Sequence, residues 1–113
     1  MNKTCDQINQ LAFKTTEQDI ANEIAFAAKA KALSHPARIR ILKILFTLDE
    51  LGGCLSSDLV SEVGLAQSTV SEHIRILKAA GFISAEPKPP KICYRIVRSE
   101  LVTFQTSFKD IYS

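Results

Sequence analysis

Residues 67–78 read QSTVSEHIRILK, a run in which hydrogen-bonding side chains and cations surround one acid, Glu72. Val70, Ile74 and Leu77 recur at steps of four and three, which places them on one face of a helix. At about 100° per residue, Ser68, Glu72 and Arg75 lie opposite that stripe, Thr69 and Ser71 flank it, and His73 sits nearer its edge. Hydroxyls and amides at the start of a helix, with a guanidinium further on, are what the base edges and phosphates of a DNA major groove can bind. We therefore expect Gln67, Ser68, Thr69, Ser71, His73, Arg75 and Lys78 to face double-stranded DNA, with His73 touching a phosphate or a base. Glu72 works against this unless it accepts from a cytosine amino group or pairs with Arg75.

The second set of reactive groups is the three thiols Cys5, Cys54 and Cys93. An odd number of cysteines behind a start, MNKTCDQINQ, that has no apolar leader core points to a reducing cytoplasmic location. Free or ligating thiols are expected there, not a disulfide framework. No apolar run approaches the roughly 20 residues of a membrane span. There is no glycine-rich phosphate loop and no nucleophile with a base at motif spacing, so the chain does not read as an enzyme.

These groups must be positioned by the surrounding elements. Upstream of the 67–78 run, Leu59, Val60 and Val63 form a short helical face and Gly64 a tight turn, so residues 56–83 read as a helix-turn-helix. Downstream, FISAE and ICYRIV are short β-rich runs separated by PKPPK. They read as a hairpin whose Pro87, Pro89 and Pro90 belong to the connection and hold Lys88 and Lys91 out as phosphate contacts. The pair of motifs is a winged helix-turn-helix. Five cations against two acids over residues 67–95, in a chain of net charge +2, put the positive excess on this half.

Before it, Thr16 can cap a helix running to Leu33. Ser34 can cap another that opens at Pro36 and buries Ile39, Leu42, Leu45 and Phe46. Residues 1–15 read as a frayed arm or irregular helix, and 16–113 as one winged-helix domain. Leu101, Phe104, Phe108 and Ile111 form a last apolar stripe. With the alanine-rich helix before residue 33 it offers a two-fold homodimer interface. The expected fold is mainly α: about five helices, a two-stranded wing, and dimerisation through the N- and C-terminal helices.

ALSHPARIRIL at 32–42, DLVSEVGLAQSTVSEHIRILKAAGFI and the ICYRI strand resemble the arsenic- and metal-responsive ArsR/SmtB repressors over roughly residues 20–112. The resemblance implies a dimeric repressor that leaves its operator when a metal, metalloid or oxidant reacts with it. CLSSDL looks like that family's C-V-C-x-D-L thiolate box with Ser56 in place of the second cysteine. By that resemblance Cys54, Cys93 and Cys5 are the candidate thiolates for As(III), Sb(III) or another thiophilic ion acting as inducer, with no obligatory cofactor. Two alternatives stand beside it. One is the same repressor switched by a cysteine disulfide or persulfide, and the other a winged helix that binds protein and no DNA.

Overall fold

A computed structural model gives the structure of the chain over residues 4–113. Residues 1–3 of the expected arm lie outside the described residues. Most of the rest of the arm is a regular helix, α1 (Cys5–Phe13), where a frayed arm or an irregular helix is expected. Thr4 Oγ1 accepts from the Gln7 N–H at 3.2 Å while the Gln7 side chain accepts from the Thr4 N–H at 2.9 Å. This reciprocal cap stabilises a first turn that apolar periodicity does not register. α2 (Glu17–Ala32) opens on the same device, Thr16 with Asp19.

α3 (Pro36–Glu50) places Pro36 in its first turn as expected, but its cap is His35, not Ser34. His35 Nδ1 accepts from the Ala37 N–H at 3.0 Å. Its buried residues are Ile41, Leu42 and Leu45, whereas Ile39 is half-exposed. Phe46 stays partly exposed, with the Arg98 guanidinium over its ring, 4.3 Å from the centroid.

The next elements are β1 (Leu55–Ser56), a 3-10 helix (Ser57–Val63), α4 (Gln67–Ala79), β2 (Ile83–Lys88), β3 (Lys91–Ile96) and α5 (Arg98–Ile111). The wing differs from the expectation in two ways. It is a three-stranded antiparallel sheet in the order β1-β3-β2, because Leu55 pairs with Tyr94 and Ser56 with Cys93. Pro87 lies inside β2 opposite Ile92, tolerated because β2 is an edge strand with no neighbour to receive the missing N–H. Gly64 closes the 3-10 helix at φ +88°, a left-handed conformation that a Cβ would strain, and so aims the chain into α4.

One hydrophobic cluster joins these pieces, with Phe82, Ile41, Leu45, Leu77 and Val70 fully buried. α1 and α5 bury no residue completely, and Phe13, Ile24, Val102, Phe108 and Tyr112 remain more than half exposed. The radius of gyration is 19.0 Å, well above the roughly 13 Å of a compact chain of this length. The apolar surface at the two ends of the sequence is thus unfinished within one chain. Phe82, at the centre of the cluster, tests the core: Phe82→Ala should cost about 3–5 kcal/mol in urea unfolding followed by circular dichroism at fixed protein concentration. A loss under about 1 kcal/mol would mean the ring fills no closed site.

Candidate nucleic-acid interface and thiol pair

α4 is set in place by its inner face. Val70, Ile74 and Leu77 are buried as the spacing predicts. Gln67, Ser68, Thr69, Ser71, Glu72, Arg75 and Lys78 are all exposed on the outside of the helix. No side chain caps the start of α4. Its first N–H groups are left for water or for an anion, which suits a helix that meets a phosphate end-on.

His73 departs from the expectation. It is 7% exposed and completes the buried stripe, three residues after Val70 and four before Leu77, so it faces α3 and not a DNA groove. The Arg38 guanidinium Nη1 lies 3.3 Å from its Nδ1, and the His35 ring packs at 4.5 Å between centroids. Burial, followed by the His35 and Arg38 charges, pushes the His73 pKa below its ordinary value. Sequence spacing placed His73 near the apolar edge; its partners on α3 could not be found that way, because they lie 35 and 38 residues away.

Glu72 resolves as the pairing alternative. Its carboxylate accepts from Arg75 Nε at 2.9 Å and from Nη2 as well. The Arg75 hydrogen bonds hold the Glu72 carboxyl below its usual range, so it stays an anion whose charge is met on its own helix. The outer face then presents hydroxyls and amides around one neutralised pair, with Lys78 beyond it.

In the wing, Lys88 is exposed and has no ion-pair partner among the described residues. Lys91 pairs with Asp58 at 3.0 Å. Ser56 Oγ also donates to Asp58, and these two contacts, Ser56 first, keep its carboxyl below the usual range. The Ile92 N–H donates to Ser57 Oγ at 3.0 Å and Arg95 Nη1 to the Gly53 carbonyl at 3.3 Å. Residues 53–58, which lead into the helix-turn-helix, are therefore laced to β3. The sequence carried no signal for this lacing, since it depends on β1.

The same strip holds two of the three thiols. β1 and β3 pair Ser56 with Cys93, and the alternation of a strand puts Cys54 on that same face. The two Cα atoms are 5.8 Å apart and the side chains are joined as a disulfide, a separation that suits such a bond without backbone movement. This overturns the expectation of three unbridged thiols. Cys5, the first residue of α1, is exposed and free. A site of all three cysteines is not assembled within the chain: among the described residues no three His, Cys, Asp or Glu side chains gather as a metal site.

The family model described as bacterial regulatory protein, arsR family, matches residues 35–85, from the cap of α3 to the start of the wing. The chain is 30% identical over 86 residues to the HTH-type transcriptional regulator YgaV of Escherichia coli, covering 76% of this chain and 84% of YgaV. It belongs to the arsR family of bacterial regulatory proteins. The relatives are transcriptional regulators and not enzymes. The uncharacterized HTH-type regulator Rv0081 of Mycobacterium tuberculosis is 39% identical over 72 residues, 63% of this chain, and the match spans only 60% of that relative's length.

Among solved structures, NolR of Sinorhizobium fredii aligns at a TM-score of 0.67 with 22% identity, over 88% of this chain and 95% of NolR. The homodimeric winged helix-turn-helix DNA-binding domain of Mb0332 from Mycobacterium bovis aligns at 0.64 with 22% identity, over 83% and 84%. The cadmium metal-sensor CmtR of Mycobacterium tuberculosis aligns at 0.51 with 34% identity, over 68% and 75%. The fold is thus the winged helix-turn-helix of the arsR family. The matched span contains Cys54 but neither Cys5 nor Cys93.

The arrangement predicts how the thiols react. Air-oxidised protein should show one alkylatable cysteine per chain, Cys5, and three after reduction, read by peptide mass spectrometry. Modification of Cys54 or Cys93 before any reductant is added would show that the pair is not bonded in solution.

Proposed function

We propose that this chain is a homodimeric repressor that binds double-stranded operator DNA, and that the chemical state of the Cys54–Cys93 pair sets its hold on that operator. One observation carries the reading: the pair bridges the segment leading into the helix-turn-helix and the central strand of the wing, so its state bears on both DNA-contacting parts together. Gln67, Ser68, Thr69, Ser71, Arg75 and Lys78 read the major groove, and Lys88 and Lys91 contact flanking phosphates. Lys91 must exchange Asp58 for the phosphate.

The dimer rests on the apolar faces of α1, α2 and α5. They border an open groove of about 830 Å³ whose lining includes Phe13, Ile20, Phe26, Phe104 and Ile111. A second copy closes it and sets two recognition helices about one DNA turn apart. The homodimeric state of Mb0332 supports this assembly.

Two chemistries fit two facing thiols. In the first, a peroxide is the oxidant: one thiolate attacks it, forming a sulfenic acid as one oxygen leaves as water or hydroxide. The second thiol then displaces the other oxygen as water and closes the disulfide. In the second, reduced Cys54 and Cys93 ligate a thiophilic ion such as As(III), Sb(III) or Cd(II), a reading favoured by the cadmium sensor CmtR among the relatives. The geometry favours the first, because the pair is already at bonding distance and Cys5 is not beside it. A sulfane-sulfur donor would reach the same disulfide: one thiolate takes the donor's outer sulfur as a persulfide while the donor leaves as a thiolate, and the second thiol then displaces that sulfur as hydrogen sulfide.

Band shifts on a duplex enriched from a random pool by the reduced protein separate these cases. Peroxide should change affinity by about tenfold or more, a coupling of about 1.4 kcal/mol, and dithiothreitol should restore it. Cys54→Ser and Cys93→Ser should abolish the response while Cys5→Ser keeps it. A response to arsenite or cadmium without one to peroxide would move the assignment to the ion. Retention under every treatment would overturn the sensing role. In the same assay Lys88→Ala should weaken all duplexes alike and reduce the salt slope by about one per protomer, about two for the dimer. Absence of binding to any duplex even at low salt would return the chain to a protein-interaction role.

A further inference from the structure

Resting on the reading of α4 as a DNA-recognition helix, we propose that His73 is a positioning residue. With Arg38 and His35 it forms a proton-sensitive clamp between α3 and α4 that holds the recognition helix in its reading orientation only while the His73 ring is neutral.

Arg38 stands where three helices meet. Its Nε donates to the Ala32 carbonyl at 2.6 Å and its Nη2 to the Lys31 carbonyl at 3.5 Å, both at the end of α2, while Nη1 reaches His73 Nδ1 on α4 at 3.3 Å. A guanidinium has donors only, so His73 Nδ1 must offer a lone pair and its ring proton resides on Nε2. His35 is fixed in the same tautomer, because its Nδ1 accepts the Ala37 N–H that begins α3. Two rings at 4.5 Å thus each spend an acceptor that an imidazolium lacks.

A proton on His73 would remove the acceptor facing Arg38 and set a second positive charge against it at a site only 7% exposed. The charges acting on His73 are His35 and Arg38 from α3 and Glu72 from its own helix; among the described residues the 3-10 helix and β2 supply none. Glu72 alone could compensate, and its carboxylate is taken by Arg75. The way to relieve the protonated state is to part α4 from α3.

The sign follows. Burial first, then His35 and Arg38, lower the His73 pKa, so the folded, clamped state prefers the neutral ring. Its advantage is complete above the ordinary histidine value of about 6.5 and is lost as pH falls through the lower value of the folded chain.

The test uses the reduced full chain, the duplex it enriches from a random pool at pH 7.5, and fixed salt. Wild-type affinity should fall with acid by up to about tenfold per pH unit for each protomer's His73, the limit for one proton, and so up to about a hundredfold for the dimer. His73→Asn, whose Oδ1 keeps an acceptor for Arg38 but cannot titrate, should bind within about threefold at pH 7.5 and lose this dependence. His73→Leu should bind more weakly at every pH. Independently of DNA, the ring 15N shifts of His73 should show Nδ1 unprotonated and a titration below that of an ordinary histidine. A wild-type pH profile in His73→Asn, or a His73 that is protonated on Nδ1 or titrates normally, overturns the clamp. Failure to enrich any duplex while the NMR titration behaves as stated overturns the DNA-binding reading and leaves the proton linkage standing.

Discussion

Burial of the inner face of α4 is the constraint on which the rest of the molecule depends. Val70 and Leu77 are wholly inaccessible, and Ile74 nearly so, in one cluster with Ile41 and Leu45 of α3 and Phe82 just after the helix. Each such side chain contributes roughly 1.5–3 kcal/mol when removed from water. α4 has no side-chain cap at its start, so its rotation about its own axis is fixed by this packing and not by local hydrogen bonds. Slipping the helix by one residue would turn it by about 100°, drawing polar side chains of the outer face towards the core. The polar face is specified because the apolar face admits one setting.

The charged contacts act differently. Lys91–Asp58, Arg95–Glu86 and Glu72–Arg75 are all largely solvated, and pairs of that kind contribute little to stability. Their effect is directional. Glu72 orients the Arg75 fork along α4, and Asp58 draws Lys91 and the wing toward the strip that precedes the helix-turn-helix. If the wing engages DNA as proposed, an approaching phosphate would compete with Asp58 for Lys91, and the contact that orders the free wing would set a cost on that engagement.

The parts of the fold legible in the sequence are those written in one helix or one strand. The 3.6-residue stripe of α4, the turn at Gly64, the Thr16 cap and the run of α5 were all visible as periodicity or as a single residue type in its usual place. The outer-face residues of α4, apart from His73, followed directly from that stripe. What was not legible depends on contacts between distant segments. β1 is two residues long, too short to show alternation, yet it brings Cys54 beside Cys93 and converts three isolated thiols into a pair and a singleton. His73 was assigned to the groove because helical position alone leaves an edge residue undecided; Arg38 and His35 decide it. Pro87 was moved out of the strand on a rule that holds for interior strands, and β2 proved to be an edge. The α1 capping box is written in Thr4 and Gln7, but the scattered apolar residues around it form no helical stripe.

The recognition helix is also held at its far end. Lys29 of α2 donates to the Ala80 carbonyl at 2.7 Å, pairs with Glu100 of α5 at 2.8 Å, and lies over the Phe82 ring. Together with Arg38, this gives α2 two polar attachments to α4, one near its middle and one at its C-terminal end, while Phe26 of α2 stacks on Phe104 of α5 at 4.6 Å. The helices that carry the unfinished apolar faces are therefore also in contact with α4. Free-energy coupling between two sites is reciprocal. If association of two copies fixes α2 and α5, it must also restrict α4, and DNA that selects one setting of α4 must strengthen association by the same factor. The Cys54–Cys93 pair enters from the opposite side, through β1 and the wing, with no shared hydrogen bond to Lys29 or Arg38. On the proposed switch, a change in the state of the pair would act on the wing through β1 and β3 and leave the contacts of Lys29 and Arg38 in place, so DNA binding could weaken without the dimer first dissolving.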